Sequence, residues 1–239
     1  MFEQLALLSL GEGGWGMALL AGALVTLSLA LACVPLGLSL GLIVALGARS
    51  PSRWRRALSS AFATVFRGLP ELLTLLIVYY GCQIGLQKLL AHFGHHTEVT
   101  FNAFLAAMVA FSLVFAAFSS QVWLGAFKVV GKGQYEAAKV LGLSRVTTFF
   151  KVILPQLTRI ALPGLSNNWL SLLKDTSLVS TISLVDVMRQ TTLAVGATKE
   201  PMLFYGCACL IYLFFSALSG RVFSYAEKRF SLGHRSQRA

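Results

Sequence analysis

Residues 127–159 read FKVVGKGQYEAAKVLGLSRVTTFFKVILPQLTR. The stretch is too charged to lie in lipid, with Lys128, Lys132, Lys139, Arg145, Lys151 and Arg159 set against a single acid, Glu136. Tyr135, Ala138, Val140, Leu141 and Leu143 recur among those charges at near-helical spacing. That pattern predicts a short amphipathic helix with one face for a docking partner. On either side, residues 101–126 and 160–180 stay apolar for at least the ~20 residues that a crossing helix needs. The stretch is therefore a loop between two membrane spans, on the side where basic residues collect.

Working outward, three more apolar segments appear, at about 15–46, 57–81 (with an extension toward 90) and 202–223. A lone segment in lipid must satisfy its own backbone hydrogen bonds, so each is expected to be a helix. The fold class is all-α: a polytopic membrane protein with five transmembrane helices and one cytoplasmic docking helix. Composition agrees. The 239 residues are 56% hydrophobic and 12% charged, and their mean hydropathy is +0.72. A soluble domain is about 25% charged, so a soluble enzyme and a disordered chain are both excluded. The net charge of +11 reads as cytoplasmic loops against a lipid bilayer, not as a nucleic-acid surface.

Basic residues set the orientation. Arg49, Arg53, Arg55 and Arg56 follow the first span, the six loop cations follow the third, and Arg221, Lys228, Arg229, Arg235 and Arg238 follow or end the fifth. Only Lys88, Arg189 and Lys199 fall on the opposite side. The N-terminus is then outside and the C-terminus in the cytoplasm. Residues 1–14 form an outer lead without a basic n-region, 15–226 the membrane domain with its loop at 127–159, and 227–239 a basic cytoplasmic tail.

Lesser patterns carry little. Gly11, Gly13 and Gly16 fit G-x-G-x-x-G but follow no strand. Gly37 and Gly41 have the spacing of a close helix crossing. Cys33, Cys82, Cys207 and Cys209 read as small packing residues. His92, His95 and His96 read as a solvated outer loop, so no metal site is expected. No phosphate-binding G-x-x-x-x-G-K-[ST] occurs, so any ATP used must be bound by another polypeptide.

The loop itself is specific. Glu136-Ala137-Ala138, three residues, Gly142, nine residues, then Val152-Ile153-Leu154-Pro155 resembles the EAA loop of ABC importer permeases, with Val152 standing where Ile is typical. Ala137 and Ala138 would let the helix sit deep in a partner's groove. Gly142 would end it in a left-handed conformation, and Pro155 would reset the chain direction before the fourth span. Arg67-Gly68-Leu69-Pro70-Glu71-Leu72, the run Leu162 to Trp169 with Asn167 and Asn168, and Leu173-Lys174-Asp175-Thr176-Ser177-Leu178 resemble elements of the polar amino-acid permeases. The similarity covers about residues 19–223 and looks closest to the Q-type subunits of histidine/lysine/arginine/ornithine and octopine/nopaline systems. Asp175 departs, a small hydroxyl residue being more usual there.

The resemblance implies a type I ABC importer fold in a bacterial inner membrane. It also implies ATPase coupling through Glu136, Ala137, Ala138, Gly142, Leu154 and Pro155. Partners would be a second permease subunit of the same family, two ATPase subunits holding ATP and Mg, and an extracytoplasmic substrate-binding protein. This chain would bind no cofactor and hydrolyse nothing. A secondary transporter or channel is the alternative class, but it leaves the EAA spacing unexplained.

Charges inside spans are costly and mark function. Counted from Ala57, Arg67 lies ~15 Å and Glu71 ~21 Å along the second span. Lys174 and Asp175 lie at similar depths from Ile160. Two positive and two negative groups at one level suit a zwitterion, with Arg67 or Lys174 for a carboxylate and Glu71 or Asp175 for an ammonium. Equally, Arg67 and Glu71 are spaced as i,i+4 partners that neutralise each other. Asn167 and Asn168 are expected to bond across helices.

The orientation is testable in a chain stripped of its native cysteines. A cysteine at Gly94 should react with a membrane-impermeant maleimide added outside, and one at Ser52 should not; the opposite pattern would invert the topology.

Overall fold

The computed structural model describes residues 7–11, 13–93 and 101–231. His95, His96, residues 1–6 and 12 of the outer lead and residues 232–239 of the tail lie outside the described residues. The elements are α1 (Gly16–Ala48), α2 (Arg53–Gly68), α3 (Glu71–His92), α4 (Ala103–Val129), α5 (Lys132–Val140), α6 (Arg145–Thr148), a π-helical turn (Phe149–Ile153), α7 (Leu154–Asp175), a 3-10 segment (Thr176–Ile182), α8 (Val187–Thr198) and α9 (Pro201–Ser231). No strand occurs among the described residues.

By length and composition α1, α3, α4 and α9 are long and apolar enough to cross a membrane. The fourth expected span is α7. Its 22 residues reach ~33 Å, but Asn167, Asn168, Lys174 and Asp175 make it more polar than the others. It packs against α4, α9 and α1, so part of its surface meets protein instead of lipid.

Three boundaries differ from the sequence reading. The second apolar segment is not one helix: α2 ends at Gly68, Leu69 and Pro70 are extended (ψ 141° and 137°), and α3 begins at Glu71. Pro70 lacks an N–H and pushes the residue before it out of the α region, which is why the break falls at Leu69. Glu71 therefore sits at the start of a helix, not fourteen residues along one. Next, Pro155 does not redirect the chain. Helix runs on from Arg145 to Asp175, and the π turn at Phe149–Ile153 lies directly ahead of Leu154-Pro155. A wider turn gives the proline ring room and absorbs its missing donor. Finally, α9 continues to Ser231, through the boundary that the composition placed at 226.

A helix that the sequence reading missed, α8, lies in the segment 183–200. Asp186 caps it by accepting from Arg189 N at 2.9 Å, and its first residues dock on Gly22 of α1, where a Cβ would meet the Asp186 backbone at 2.8 Å.

The core is built on α1 against α4, with α7 closing it. Leu29, Cys33, Phe111, Phe115, Trp169 and Leu173 are buried together. Glycines allow the approach. A Cβ on Gly37 would fall 2.5 Å from Phe115 Cδ1, one on Gly41 2.9 Å from Ala116 O, and one on Gly164 2.7 Å from Val122 Cγ1. The Gly37-x-x-x-Gly41 pair thus forms a close crossing. Trp169 Nε1 donates to Ser219 Oγ at 2.9 Å, joining α7 to α9.

Gly37→Val should cost about 1–3 kcal/mol by overpacking, whereas Gly85→Ala, with nothing within 4 Å of its added Cβ, should change stability by no more than about 0.5 kcal/mol. Thermal unfolding in detergent checks this; equal shifts for the two would contradict the close crossing.

Candidate functional site: an acidic cavity and a cytoplasmic loop

A cavity of about 210 Å³ lies where α3, α4 and α7 meet. Glu71 enters it from the first turn of α3, and Asp175 from the last turn of α7. Phe111, Phe115 and Phe118 line it from α4, and Asn168 and Ser171 from α7. The positions follow from helix periodicity. Phe111, Phe115 and Phe118 are four and three residues apart, and Asn168, Ser171 and Asp175 repeat the same stripe on α7.

The two carboxylates differ in their support. Glu71 stands at a helix N-terminus, where the helix dipole favours negative charge; Asp175 is the last residue of α7, where the chain passes straight into the 3-10 segment, and has no such support. Facing one cavity, the two repel each other, and a cation placed between them relieves the repulsion.

The other two in-span charges do not join them. Arg67 is exposed on the last turn of α2, its guanidinium carbon 5.8 Å from the Phe118 ring centroid, within cation–π range. Because the chain breaks at Leu69 and Pro70, Arg67 and Glu71 are not i,i+4 neighbours on one helix, and the expected neutralising register is absent. Lys174 is exposed and is not among the residues lining the cavity. Asn168 also departs from expectation: its buried Nδ2 has no hydrogen-bond partner, so it makes no cross-helix bond, although the residue lines the cavity. Asn167 is exposed. Among the described residues no group of three His, Cys, Asp or Glu side chains is placed to hold a metal.

The second region is the loop. Glu136 and Ala137 are exposed on α5, while Ala138 is 3% exposed and turned into the protein. Only one of the two alanines is therefore presented outward. Gly142 has φ +72°. Leu143 N donates to Ala138 O at 3.0 Å and Gly142 N to Lys139 O at 3.0 Å, the paired bonds of a Schellman cap. At the end of α5, just ahead of Gly142, Val140 and Leu141 stand 87% and 76% exposed, an apolar tip that this chain leaves uncovered. Arg49, at the end of α1, lies 4.0 Å over the Phe127 ring and lines a hollow with Tyr135 and Lys139.

A side-chain hydrogen bond links the regions, beside the packing of Tyr135 on the cluster of Ile153 and Leu157. Gln156 Nε2 donates to Gln134 Oε1 at 3.2 Å and to Val152 O at 2.9 Å. Gln134 is on α5 and Gln156 on α7, the helix whose far end carries Asn168 and Asp175. Leu154 and Pro155 open α7 and line a surface hollow with Gln156.

The family model for the binding-protein-dependent transport system inner membrane component matches residues 37–231. The arginine ABC transporter permease protein ArtQ of Haemophilus influenzae is 41% identical over 209 residues, 87% of this chain and 91% of its own length. The histidine/lysine/arginine/ornithine transport system permease protein HisQ of Escherichia coli K12 is 36% identical over 92% of this chain and 96% of its own. The nopaline transport system permease protein NocQ of Agrobacterium fabrum is 37% identical over 98% of this chain and 100% of its own. Among solved structures, an amino acid ABC transporter crystallised with histidines superposes with TM-score 0.74 and 28% identity, over 90% of this chain and 95% of that one. The MetNI methionine ABC transporter in an inward-facing form shares the fold at TM-score 0.69 and 16% identity, over 90% of this chain and 97% of that one.

Proposed function

Because this chain belongs to the family of binding-protein-dependent transport inner membrane components, we propose that it passes a cationic amino acid or opine across the membrane by way of Glu71 and Asp175. It is a permease subunit of an ABC transporter and not itself an enzyme. The observation that carries the substrate reading is the convergence of two carboxylates on one aromatic-lined cavity. A guanidinium or ammonium fits between them, and Phe111, Phe115 and Phe118 offer ring faces to it. The names of the relatives point the same way: arginine, histidine/lysine/arginine/ornithine, and nopaline.

The rest of the machine follows from what this chain leaves uncovered. The α3 and α9 helices keep most of their apolar surface exposed, which suits lipid together with a second permease subunit completing the pore. The tip of α5 with Glu136, Ala137 and Gly142 meets one of two ATPase subunits, which hold the ATP and Mg. A binding protein delivers substrate from outside. The N-terminus is then periplasmic and the basic tail cytoplasmic in a bacterial inner membrane. Motion at the ATPases enters through α5, crosses the Gln134–Gln156 contact and Pro155, and travels ~28 Å along α7 to Asp175.

A charge-assisted contact is worth ~1.5–3 kcal/mol, or roughly 10- to 150-fold in affinity. Glu71→Gln and Asp175→Ser should each depress arginine uptake by about that factor and glutamine uptake much less, with membrane insertion and basal ATP hydrolysis kept. Equal loss of both substrates, or loss of neither, would sink the assignment.

A further inference from the structure

A second opening lies away from the acidic cavity, at the cytoplasmic ends of α4, α7 and α9. It is a groove of about 770 Å³ whose apolar wall is Val129, Ile160 and Pro163. Its mouth carries Gln156, Arg159, Ser224 and Lys228, with Glu227 at the rim. An adjoining hollow shares Ser224 and Lys228 and adds Arg221 and Tyr225. Arg159 is half-buried, and no hydrogen bond or ion pair to it is found among the described residues.

We propose that this groove holds one anionic phospholipid. Arg159 stands five residues into α7, ~7 Å from its start, and Lys228 stands close to the end of α9 at Ser231. Both are at the level of lipid headgroups. Arg159 and Lys228 at the mouth and Arg221 in the adjoining hollow stand beside one carboxylate, Glu227, and basic pockets between crossing helices on the cytoplasmic side take acidic headgroups. The guanidinium fork of Arg159 donates to two phosphate oxygens, Lys228 and Ser224 reach the same group, and Tyr225 lies at the interface as aromatic residues do. An acyl chain lies along Val129, Ile160 and Pro163. A phosphatidylcholine headgroup brings a quaternary ammonium toward Arg159, Lys228 and Arg221, and is disfavoured. A protein partner would have to bring a carboxylate to Arg159, whereas the lipid is already present at this depth.

The test is native mass spectrometry of the full chain released from bilayers of equimolar phosphatidylglycerol and phosphatidylcholine. The expected result is one retained phosphatidylglycerol, favoured roughly 10-fold or more over phosphatidylcholine. Retention should fall by at least that factor in Arg159→Gln/Lys228→Gln. It should persist in Arg53→Gln/Arg55→Gln, which removes the same charge outside the groove. Should the first pair fail to fold, Ser224→Glu places a carboxylate at the mouth and should expel the lipid likewise. Equal retention of the two lipids, unchanged retention in the groove variants, displacement by millimolar inorganic phosphate, or cross-linking of Ser224→Cys to a partner chain in place of lipid would each overturn the proposal.

Discussion

Two like charges facing one small cavity set the terms for the rest of this molecule. Glu71 comes from the start of α3 and Asp175 from the end of α7; Arg67 and Lys174 stand exposed and do not line the cavity, although the Lys174 charge acts on Asp175 from outside it. Holding two half-buried carboxylates on one cavity is costly while no cation lies between them. The protein meets that cost with fixed geometry. Gly41 brings α1 against the backbone of α4, and Gly37 and Gly164 leave room for Phe115 and Val122 of α4, so the three phenylalanines of α4 are held against the acid-bearing face of α7. A cavity held this firmly keeps its repulsion until a positive group arrives, and that makes the arrangement selective.

The helix α7 serves a second purpose. α7 is continuous with the helical turn that leaves the cytoplasmic loop, and the π turn ahead of Pro155 keeps it continuous where a proline would otherwise break it. The Gln134–Gln156 hydrogen bond ties the short docking helix to it, and Tyr135 packs against the cluster that holds Ile153 and Leu157. A partner that moves α5 therefore moves the end of a lever whose other end carries Asp175. Coupling of this kind needs no group on this chain to touch nucleotide.

Much of this was legible in the sequence, and the reasons for the remainder are physical. Apolar length marked the spans, and the spacing from Glu136 to Pro155 marked the loop. Gly142 could be read as a helix end because its position calls for a left-handed residue, and it adopts φ +72°. The break at Leu69-Pro70 was hidden because apolar composition runs straight through it; the pre-proline restriction was the available signal. Pro155 misled in the other direction, since a π turn is a local adjustment that no periodicity announces. The helix α8 escaped because its burial comes from docking on Gly22, a tertiary contact, although Asp186 three residues ahead of Arg189 had the spacing of a cap. Asn168 was expected to bond across helices and lines the cavity instead; its seven-residue separation from Asp175, which places both on one face, was the signal that went unused.

The most direct measurement is binding of radiolabelled arginine and of its neutral near-isostere citrulline to the purified permease complex with the external binding protein left out. The two ligands differ in little but charge. A cavity ruled by Glu71 and Asp175 should hold arginine tighter by ~10-fold or more. Equal affinities would contradict the account, because the carboxylate pair would then contribute nothing to what the cavity selects.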